Sequence, residues 1–230
     1  LHLAESAAET AKSLELHGCR PVECCRRAGL LGPRTLAAHG VDLNDEEMDL
    51  LAGAGVSVAH NPRSNMKLVS GVAPVPDLLA RGCNVALGTD GAAANNRLNM
   101  FYEMSACALL HKLEQGDPAC LPAQSVLDMA TLHGARALCW PELGHLVPGG
   151  PADLTVLDLR RPGMVPMHNP ISHLVYAAGG DEVRLTMVEG RVLYEDGRFH
   201  TLDYPALIHE AAELAARLRN RRAAGGRPGA

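Results

Sequence analysis

Four short apolar segments of the chain alternate with helix-forming segments, and an ionisable residue accompanies the carboxyl end of each. The segments are residues 1–4, 35–39, 56–59 and 84–87, and the ionisable residues are His2, His39, His60 and Asp90. Strands that alternate with helices predict βαβ units and a parallel sheet. Because parallel strands end at one edge of their sheet, we expect these side chains to converge there.

The number of these units favours a barrel. Four βα units make half of a (β/α)8 barrel, in which active-site residues sit where strands end and βα loops begin. A flavodoxin-like sheet of four or five strands is the alternative, but it does not naturally place ionisable residues at four consecutive strand ends. We therefore predict an α/β fold in which residues 1–140 form half of such a barrel.

The helices of this region are predicted from their periodicity and their ends. Asn44 and Glu47 have the spacing of a capping box at the start of a helix that stops near Gly55. Helices are predicted over residues 5–16, 22–31, 45–54, 76–81, 97–115 and 123–139. Residues 61–72 are predicted to form a long polar loop.

The pattern changes after Pro141. Residues 152–158 and 183–188 have the character of strands, and Glu189-Gly190 separates the second of them from a further strand as in a hairpin. We predict part of a small β-sandwich domain over residues 141–202. Residues 203–230 are predicted to be a terminal helix followed by a disordered Gly/Pro-rich tail from Ala223.

Composition excludes some partners. The formal net charge of −5 argues against a nucleic-acid surface. No apolar run approaches the roughly 20 residues that span a bilayer. The seven cysteines contain no C-x-x-C pair, which is typical of free thiols in a reducing compartment. We therefore expect a cytoplasmic protein that binds neither nucleic acid nor membrane.

Each ionisable residue has a plain structural interpretation beside a chemical one. His2 is a suitable transition-metal ligand with Glu5 three residues later, but such a pair is often only a surface feature. A carboxylate at the end of a buried strand, such as Asp90, must be paired, hydrogen-bonded or metal-bound, or else it caps the following turn. His39 is a ligand or a satisfied core histidine, and His60 is interpreted as organising its loop.

The combination of motifs is more specific than any one of them. Four stretches carry it: His2-Leu3-Ala4-Glu5, Ala38-His39-Gly40, residues 60–68 (HNPRSNMKL) and residues 87–96 (LGTDGAAANN). This combination resembles the amidohydrolase superfamily, in the branch that holds methylthioadenosine/S-adenosylhomocysteine deaminases and triazine hydrolases. Residues 143–154 resemble the return of that family into its β-sandwich. By this resemblance residues 1–140 contain barrel strands five to eight of a metal-dependent hydrolase.

The resemblance implies a role for each matching residue. His2 and Asp90 would bind one divalent metal, Zn²⁺ or alternatively Fe²⁺, and Asp90 would also take a proton from the attacking water. Glu5 would contact the substrate and transfer protons, Asp90 would likewise face the substrate, and His39 would hydrogen-bond the water.

The implied reaction is hydrolytic deamination of an adenosine-type nucleoside, 5′-methylthioadenosine or S-adenosylhomocysteine, with release of ammonia. The alternatives are another heterocycle hydrolase of the superfamily, a guanine-type deaminase or a triazine chlorohydrolase. The family's first two metal ligands form a His-x-His pair, which this sequence lacks. A catalytically incomplete C-terminal fragment of a longer enzyme is therefore a further expectation, and the longer enzyme is expected to be a homo-oligomer acting on a small molecule.

Overall fold

A computed structural model describes residues 1–224, with side chains through residue 221. The predicted disordered tail lies, from residue 225 onward, outside the described residues. The chain forms two compact units. The first comprises Leu1–Pro151 and Asp158–Glu182, and the second comprises Ala152–Leu157 and the chain from Val183 onward. One parallel and one antiparallel sheet, with helices between and after their strands, confirm the predicted α/β class.

The first unit contains the four predicted strands in one parallel sheet. They are β1 (His2–Leu3), β2 (Leu36–His39), β3 (Ser57–His60) and β4 (Asn84–Leu87), in the spatial order β1-β2-β3-β4. The register pairs Leu3 with His39 and His60 with Leu87. The carboxyl ends of all four strands therefore lie along one edge, as the βα pattern predicts.

Helices follow each strand of this sheet. Those of the first unit are α1 (Ala7–His17), α2 (Pro21–Arg27), α3 (Asp45–Gly53), α4 (Pro62–Leu68), α5 (Val75–Ala80), α6 (Met100–Gln115), α7 (Ala123–Ala130), α8 (Leu132–Ala137) and α9 (Pro170–Tyr176). Aliphatic side chains of β2, β3 and β4, among them Ala37, Val58 and Val85, are fully buried against these helices. The core thus rests on Leu, Val, Ala and Met, because aromatic residues are scarce.

Local capping explains where two of these helices begin. At α3 the Asn44 side chain accepts a hydrogen bond from the Glu47 backbone N at 2.9 Å, and Glu47 accepts one from the Asn44 backbone N at 3.1 Å. This reciprocal pair confirms the predicted capping box, which satisfies two otherwise unpaired backbone donors. At α1 the Ser6 hydroxyl accepts from the Glu9 backbone N in the same way.

Three predictions about this unit are wrong. The predicted loop over residues 61–72 contains α4, a short helix with Pro62 in its first turn that packs against α6. The predicted helix over residues 123–139 is interrupted at Thr131, whose φ of −127° and ψ of −88° are not helical. Packing against neighbouring helices decides both outcomes, and propensity over a window of residues does not contain that information.

The third correction concerns the cysteines. Cys19 and Cys24 form a disulfide, with Cα atoms 5.9 Å apart. The other five cysteines are free, as predicted: Cys25, Cys83, Cys107, Cys120 and Cys139. The pair lies at the turn into α2, where the chain reverses and brings residues five apart into bonding range, a geometry that C-x-x-C counting does not detect.

The second unit is built on an antiparallel sheet. Its strands are β5 (Leu154–Leu157), β6 (Val183–Val188), β7 (Arg191–Glu195) and β8 (Arg198–Phe199), in the order β5-β6-β7-β8. Glu189 and Gly190 both have positive φ, 49° and 74°, as a tight hairpin turn requires, so the predicted hairpin is confirmed. Helix α10 (Tyr204–Ala224) follows.

The unit boundaries differ from the predicted ones. The prediction begins the second domain at residue 141, whereas residues 141–151 and 158–182 group with the first unit, in which α9 packs against α6 and α7. Among the described helices, none combines the length and apolar character needed to cross a membrane.

Candidate metal centre

His2 and His39 meet at the ends of neighbouring strands. The parallel register of β1 and β2 pairs Leu3 with His39, which sets His2 one position back on the adjacent strand. The two imidazole rings stack with centroids 5.2 Å apart and an interplanar angle of 29°. His2 is exposed, whereas His39 is fully buried. The pair therefore offers one solvent-facing and one interior imidazole at the same edge of the sheet.

The side-chain contacts of His39 favour one tautomer of its ring. Its Nδ1 lies 2.9 Å from the Asn65 side-chain oxygen, which can only accept, and 3.5 Å from the Asn61 amide nitrogen, which can only donate. When the ring is neutral, the shorter contact favours a proton on Nδ1. Nε2 then presents a lone pair, and it has no hydrogen-bond partner within the described structure. The nearest carboxylate oxygen, on Glu5, lies 3.9 Å from it. His39 Nε2 is thus a buried acceptor available to a water or to a metal ion.

Asp90 is held as a carboxylate. The Ser64 hydroxyl donates to Asp90 Oδ2 at 2.6 Å, and the Gly91 backbone N donates to Oδ1 at 2.7 Å. The Ser64 hydrogen bond is the largest cause of a lowered pKa for Asp90, and partial burial opposes it. The Gly91 hydrogen bond lowers the pKa further, as do the imidazoles of His39 and His2 whenever they are protonated. Asp90 is therefore ionised at neutral pH and ready to bind a cation.

The left-handed backbone of several site residues directs their side chains. Asp90 has φ of 58° and His39 has φ of 79°, both in the region that non-glycine residues seldom adopt. Ala4, directly before Glu5, has φ of 50°. At each position the chain turns sharply away from its strand, which leaves the functional side chain at the strand edge.

One ligand atom from each of His2, His39 and Asp90 lies within 4.8 Å of the others. Two donors on one Zn²⁺ are separated by at most about 4 Å, twice the ordinary bond length, so small side-chain rotations bring all three into range. The unpartnered Nε2 of His39 is the kind of atom that a metal or its water would satisfy. These residues, called the strand-edge centre below, fit a divalent metal, and the structure places His39 beside the predicted ligand pair.

Glu5 completes the set of predicted residues. It precedes Ser6, the N-cap of α1, and its own backbone N donates to Glu9 at 2.6 Å. Its side chain is about one-third exposed, so the carboxylate borders both His39 and solvent. The structure therefore brings together all four predicted site residues, His2, Glu5, His39 and Asp90.

Ser64 and Asn65 belong to the candidate site, and the sequence analysis did not assign either of them a role. Both are buried in α4, where the prediction placed a loop, and each anchors one member of the strand-edge centre. Lys67 of the same helix donates to the Ala93 carbonyl at 2.8 Å and to Asn96 at 2.7 Å, which ties α4 to the segment after Asp90. The available signal was Pro62, which is typical of a first helical turn.

The interpretation of His60 as a loop-organising residue is wrong. His60 is fully buried, and its Nε2 lies 3.2 Å from Nε2 of His111 on α6. Its side chain thus points to a helix packed on the sheet and makes no hydrogen bond to the following loop among the described contacts. The local sequence of His60, a strand end followed by Asn-Pro, does not reveal this contact, because His111 lies 51 residues later in the chain.

Comparison with known proteins identifies the family. A profile described as "Amidohydrolase family" matches residues 1–193. The chain belongs to the amidohydrolase family. This confirms the resemblance drawn from the four motifs. A 5-methylthioadenosine/S-adenosylhomocysteine deaminase of Nitratidesulfovibrio vulgaris (strain Miyazaki F) is 64% identical over 93% of the chain and 49% of its own length. A 5′-deoxyadenosine deaminase of Methanothermobacter thermautotrophicus is 50% identical over 94% of the chain and 50% of its own length.

Solved structures agree with this placement. An adenosine deaminase of Xanthomonas campestris with bound zinc is 38% identical, with a TM-score of 0.92 over 96% of this chain and 50% of that one. An atrazine chlorohydrolase of Arthrobacter aurescens complexed with zinc is 30% identical, with a TM-score of 0.85 over 93% of this chain and 47% of that one. This amidohydrolase chain spans about half the length of the curated relatives it matches.

Proposed function

We propose that this amidohydrolase chain carries part of the active site of a metal-dependent aminohydrolase that deaminates an adenosine-type nucleoside. The observation that carries the proposal is the convergence of His2, His39 and Asp90 within 4.8 Å at the ends of β1, β2 and β4. The four parallel strands in sequential order and the half-length coverage support the interpretation as half of a (β/α)8 barrel plus part of a β-sandwich. A cytoplasmic location stays a prediction.

His2 and Asp90 would hold the metal, with His39 beside them. The zinc-bound structural relatives favour Zn²⁺ over Fe²⁺. A divalent metal supplies, when bound, a water whose pKa is lowered toward neutrality. The ionised carboxylate of Asp90 contributes the negative charge of the ligand set, and Ser64 fixes its orientation.

The remaining residues move and hold protons. Glu5 borders solvent and lies 3.9 Å from His39, so its carboxyl can carry a proton to the ring nitrogen of a purine beside the reacting carbon. The lone pair of His39 Nε2 accepts a hydrogen bond from the attacking water and orients it. Asp90 takes the proton that the water loses and passes it toward the departing ammonia.

The substrate class follows from the relatives. Those of 64% and 50% identity are named for methylthioadenosine, S-adenosylhomocysteine and 5′-deoxyadenosine, which all contain adenine. The triazine hydrolases among the structural relatives are less similar, at 30% identity or slightly below. We therefore propose the adenosine-type nucleoside as substrate and keep a guanine-type purine or a chlorotriazine as the competing substrates.

Ammonia release tests the proposal. The longest reading frame that contains this sequence is expressed, loaded with zinc and offered methylthioadenosine, S-adenosylhomocysteine and 5′-deoxyadenosine, with guanine and a chlorotriazine in parallel. Ammonia from the three adenosine-type compounds, and little product from the other two, is expected. Faster turnover of guanine, or chloride release from the triazine, would transfer the proposal to the competing substrate class.

The 230-residue chain alone should bind zinc weakly and show no turnover. Catalytic zinc sites usually have three protein ligands, whereas the sequence contains no His-x-His pair to add to His2 and Asp90. Equilibrium dialysis and the same ammonia assay on the isolated chain check this. Deaminase activity in a sample free of other chains would show that the residues of this chain suffice, with His39 as a true third ligand.

A further inference from the structure

A second group of metal-ligating side chains lies inside the first unit. Helix α6 carries Cys107 and His111 four residues apart, so both project from the same helical face. His60 reaches them from the end of β3, and its Nε2 lies 3.2 Å from that of His111. One donor from each of the three lies within 4.8 Å of the others, and all three residues are completely buried. We call this group the buried cluster.

The spacing of the two imidazole nitrogens matches a shared ion. Bonds of about 2.0–2.1 Å from one metal to two nitrogens 3.2 Å apart enclose an angle of about 100°. The Cys107 Sγ lies within 4.8 Å of one nitrogen of each ring and is equally buried. Two nitrogen donors with one sulfur form the ligand set that soft or borderline cations prefer. The described residues place no carboxylate in the cluster.

The charges of the ligands and of their neighbours favour a monovalent over a divalent cation. Imidazole binds a metal as the neutral ring, so His60 and His111 bring no charge to the site. The nearest acidic side chain on α6, Glu103, is already engaged by Asn95 at 2.6 Å and by the Arg63 backbone at 3.3 Å. A monovalent cation with one thiolate leaves the interior uncharged, whereas a divalent cation leaves a buried positive charge, which is costly.

We propose that His60, Cys107 and His111 form a three-coordinate Cu(I) site, separate from the strand-edge centre. Binding exchanges one proton for one cation: the Cys107 S–H bond breaks, the proton leaves to the buffer, and the thiolate sulfur bonds to Cu(I) without any change of oxidation state. The cluster joins β3 to α6, so an occupied site links the sheet to this helix. The inference does not depend on the proposed deaminase activity.

The competing account is a plain hydrogen bond between the two rings. Either ring can donate Nε2–H to the other, which would tie α6 to β3 without a metal. Nδ1 of His60 and Nδ1 of His111 have no partner within the described structure, so packing and not outer hydrogen bonds orients the rings. Because such outer partners typically change metal affinity 10–100-fold, the affinity should be correspondingly below that of a fully supported site.

Anaerobic competition with a chromogenic Cu(I) chelator tests the site on the purified chain. One Cu(I) per chain should be retained, with release of one proton per ion measured in weakly buffered solution. Cys107→Ser and His111→Gln should each weaken retention by at least 100-fold. Cys83→Ser is the matched control, because Cys83 is also a buried free thiol but lies outside the cluster, and it should bind Cu(I) as the unmodified chain does.

Asp90→Ala separates the two centres and should leave Cu(I) retention unchanged. X-ray absorption of the Cu(I)-loaded unmodified chain should give two nitrogen and one sulfur neighbours, a readout that does not depend on any variant folding. The proposal is overturned if the chain retains no Cu(I), if Cys107→Ser folds and binds as well as the unmodified chain, if absorption shows no sulfur neighbour, or if Zn²⁺ displaces Cu(I) from these residues.

Discussion

The strand-edge centre and the buried cluster each contain two histidines and one further ligand, the Asp90 carboxylate in the first and the Cys107 thiol in the second. Only the strand-edge centre has members in contact with solvent. His2 is exposed and Asp90 partly exposed, whereas His60, Cys107 and His111 have no accessible surface. The two groups lie at the ends of neighbouring strands of one sheet. Their side-chain chemistry is thus similar, and their access to water is opposite.

This difference decides which protonation states each group can hold. At the strand-edge centre, hydrogen bonds from Ser64 and Gly91 hold Asp90 as an anion, which suits a divalent metal and a reacting water. In the buried cluster, burial keeps both imidazoles neutral and raises the pKa of Cys107 to about 12. The comparison teaches that hydration, rather than residue type, distinguishes the proposed hydrolytic centre from a group suited to a neutral complex.

The largest expected effect is loss of the metal from the strand-edge centre in Asp90→Ala. In the full-length protein, removal of the carboxylate should weaken zinc binding by more than 100-fold, beyond the 10–100-fold typical of outer-shell changes. Asp90→Asn should lose nearly as much, because the amide keeps the backbone conformation but not the charge. Isothermal titration with zinc measures both, and the exposed Asp181→Ala is the control. Full zinc affinity in Asp90→Asn would remove Asp90 from the ligand set.

Glu5→Gln should separate proton transfer from metal binding. In the full-length protein it should retain zinc and lose about 10²–10⁴-fold in kcat, the usual contribution of a general acid or base. Steady-state ammonia release with metal analysis of the same sample measures both quantities. Glu15→Gln, on the exposed side of α1, is the matched control and should keep normal kcat. If Glu5→Gln turns over at a near-normal rate, the proton-transfer role belongs to another residue.

Ser64→Ala should have an intermediate effect on zinc binding at the strand-edge centre. Loss of its 2.6 Å hydrogen bond frees Asp90 Oδ2 and raises the pKa of that carboxyl toward its ordinary value. Zinc affinity should fall about 10–100-fold, as for other outer-shell partners. Zinc titration of the full-length protein at pH 7 and pH 5 measures this, and Ser105→Ala on α6 is the control. An unchanged affinity at both pH values would mean that Gly91 alone orients Asp90.

A separate prediction concerns the pH dependence of stability in the metal-free chain. Below pH 6.5 the unfolded chain protonates His60 and His111, whereas the folded chain does not until about pH 3 and pH 4. Stability should therefore fall as the pH drops from 6.5 to 5, by about 1.5 kcal/mol for each histidine. Urea unfolding at several pH values measures the slope, which His111→Gln should reduce and the exposed His168→Gln should not. Equal slopes for both variants would show that His111 is solvated.

The parts of the fold set by local pattern were predictable. Strand β4 spans the predicted residues 84–87, and the Asn44–Glu47 capping box starts α3 as expected. These features depend on side-chain alternation and on neighbours three residues apart. Helix α4 and the break at Thr131 were not predictable, because a seven-residue helix is stabilised by packing against α6 and not by its own propensity.

The candidate site, like the fold, has a part that was predictable from the sequence and a part that was not. Residues at strand ends were found because parallel topology brings them to one edge, and the motifs assigned roles to His2, Glu5, His39 and Asp90. The buried cluster was missed because Cys107 and His111 occupy positions of α6 that read as ordinary core. Their partner is on a strand about 50 residues earlier, and only the packing of α6 on the sheet joins them.

The left-handed backbone at His39 and Asp90 has a consequence for sequence variation. Each position is restricted twice, once by what its side chain binds and once by a conformation that costs most L-residues roughly 1–2 kcal/mol. A relative that lost the metal would still be held to Asn, Asp or Gly at position 90. Retention of such a residue there would consequently be poor evidence of activity, whereas Ser64, which lies in ordinary helical backbone, is free to drift once the carboxylate no longer needs it.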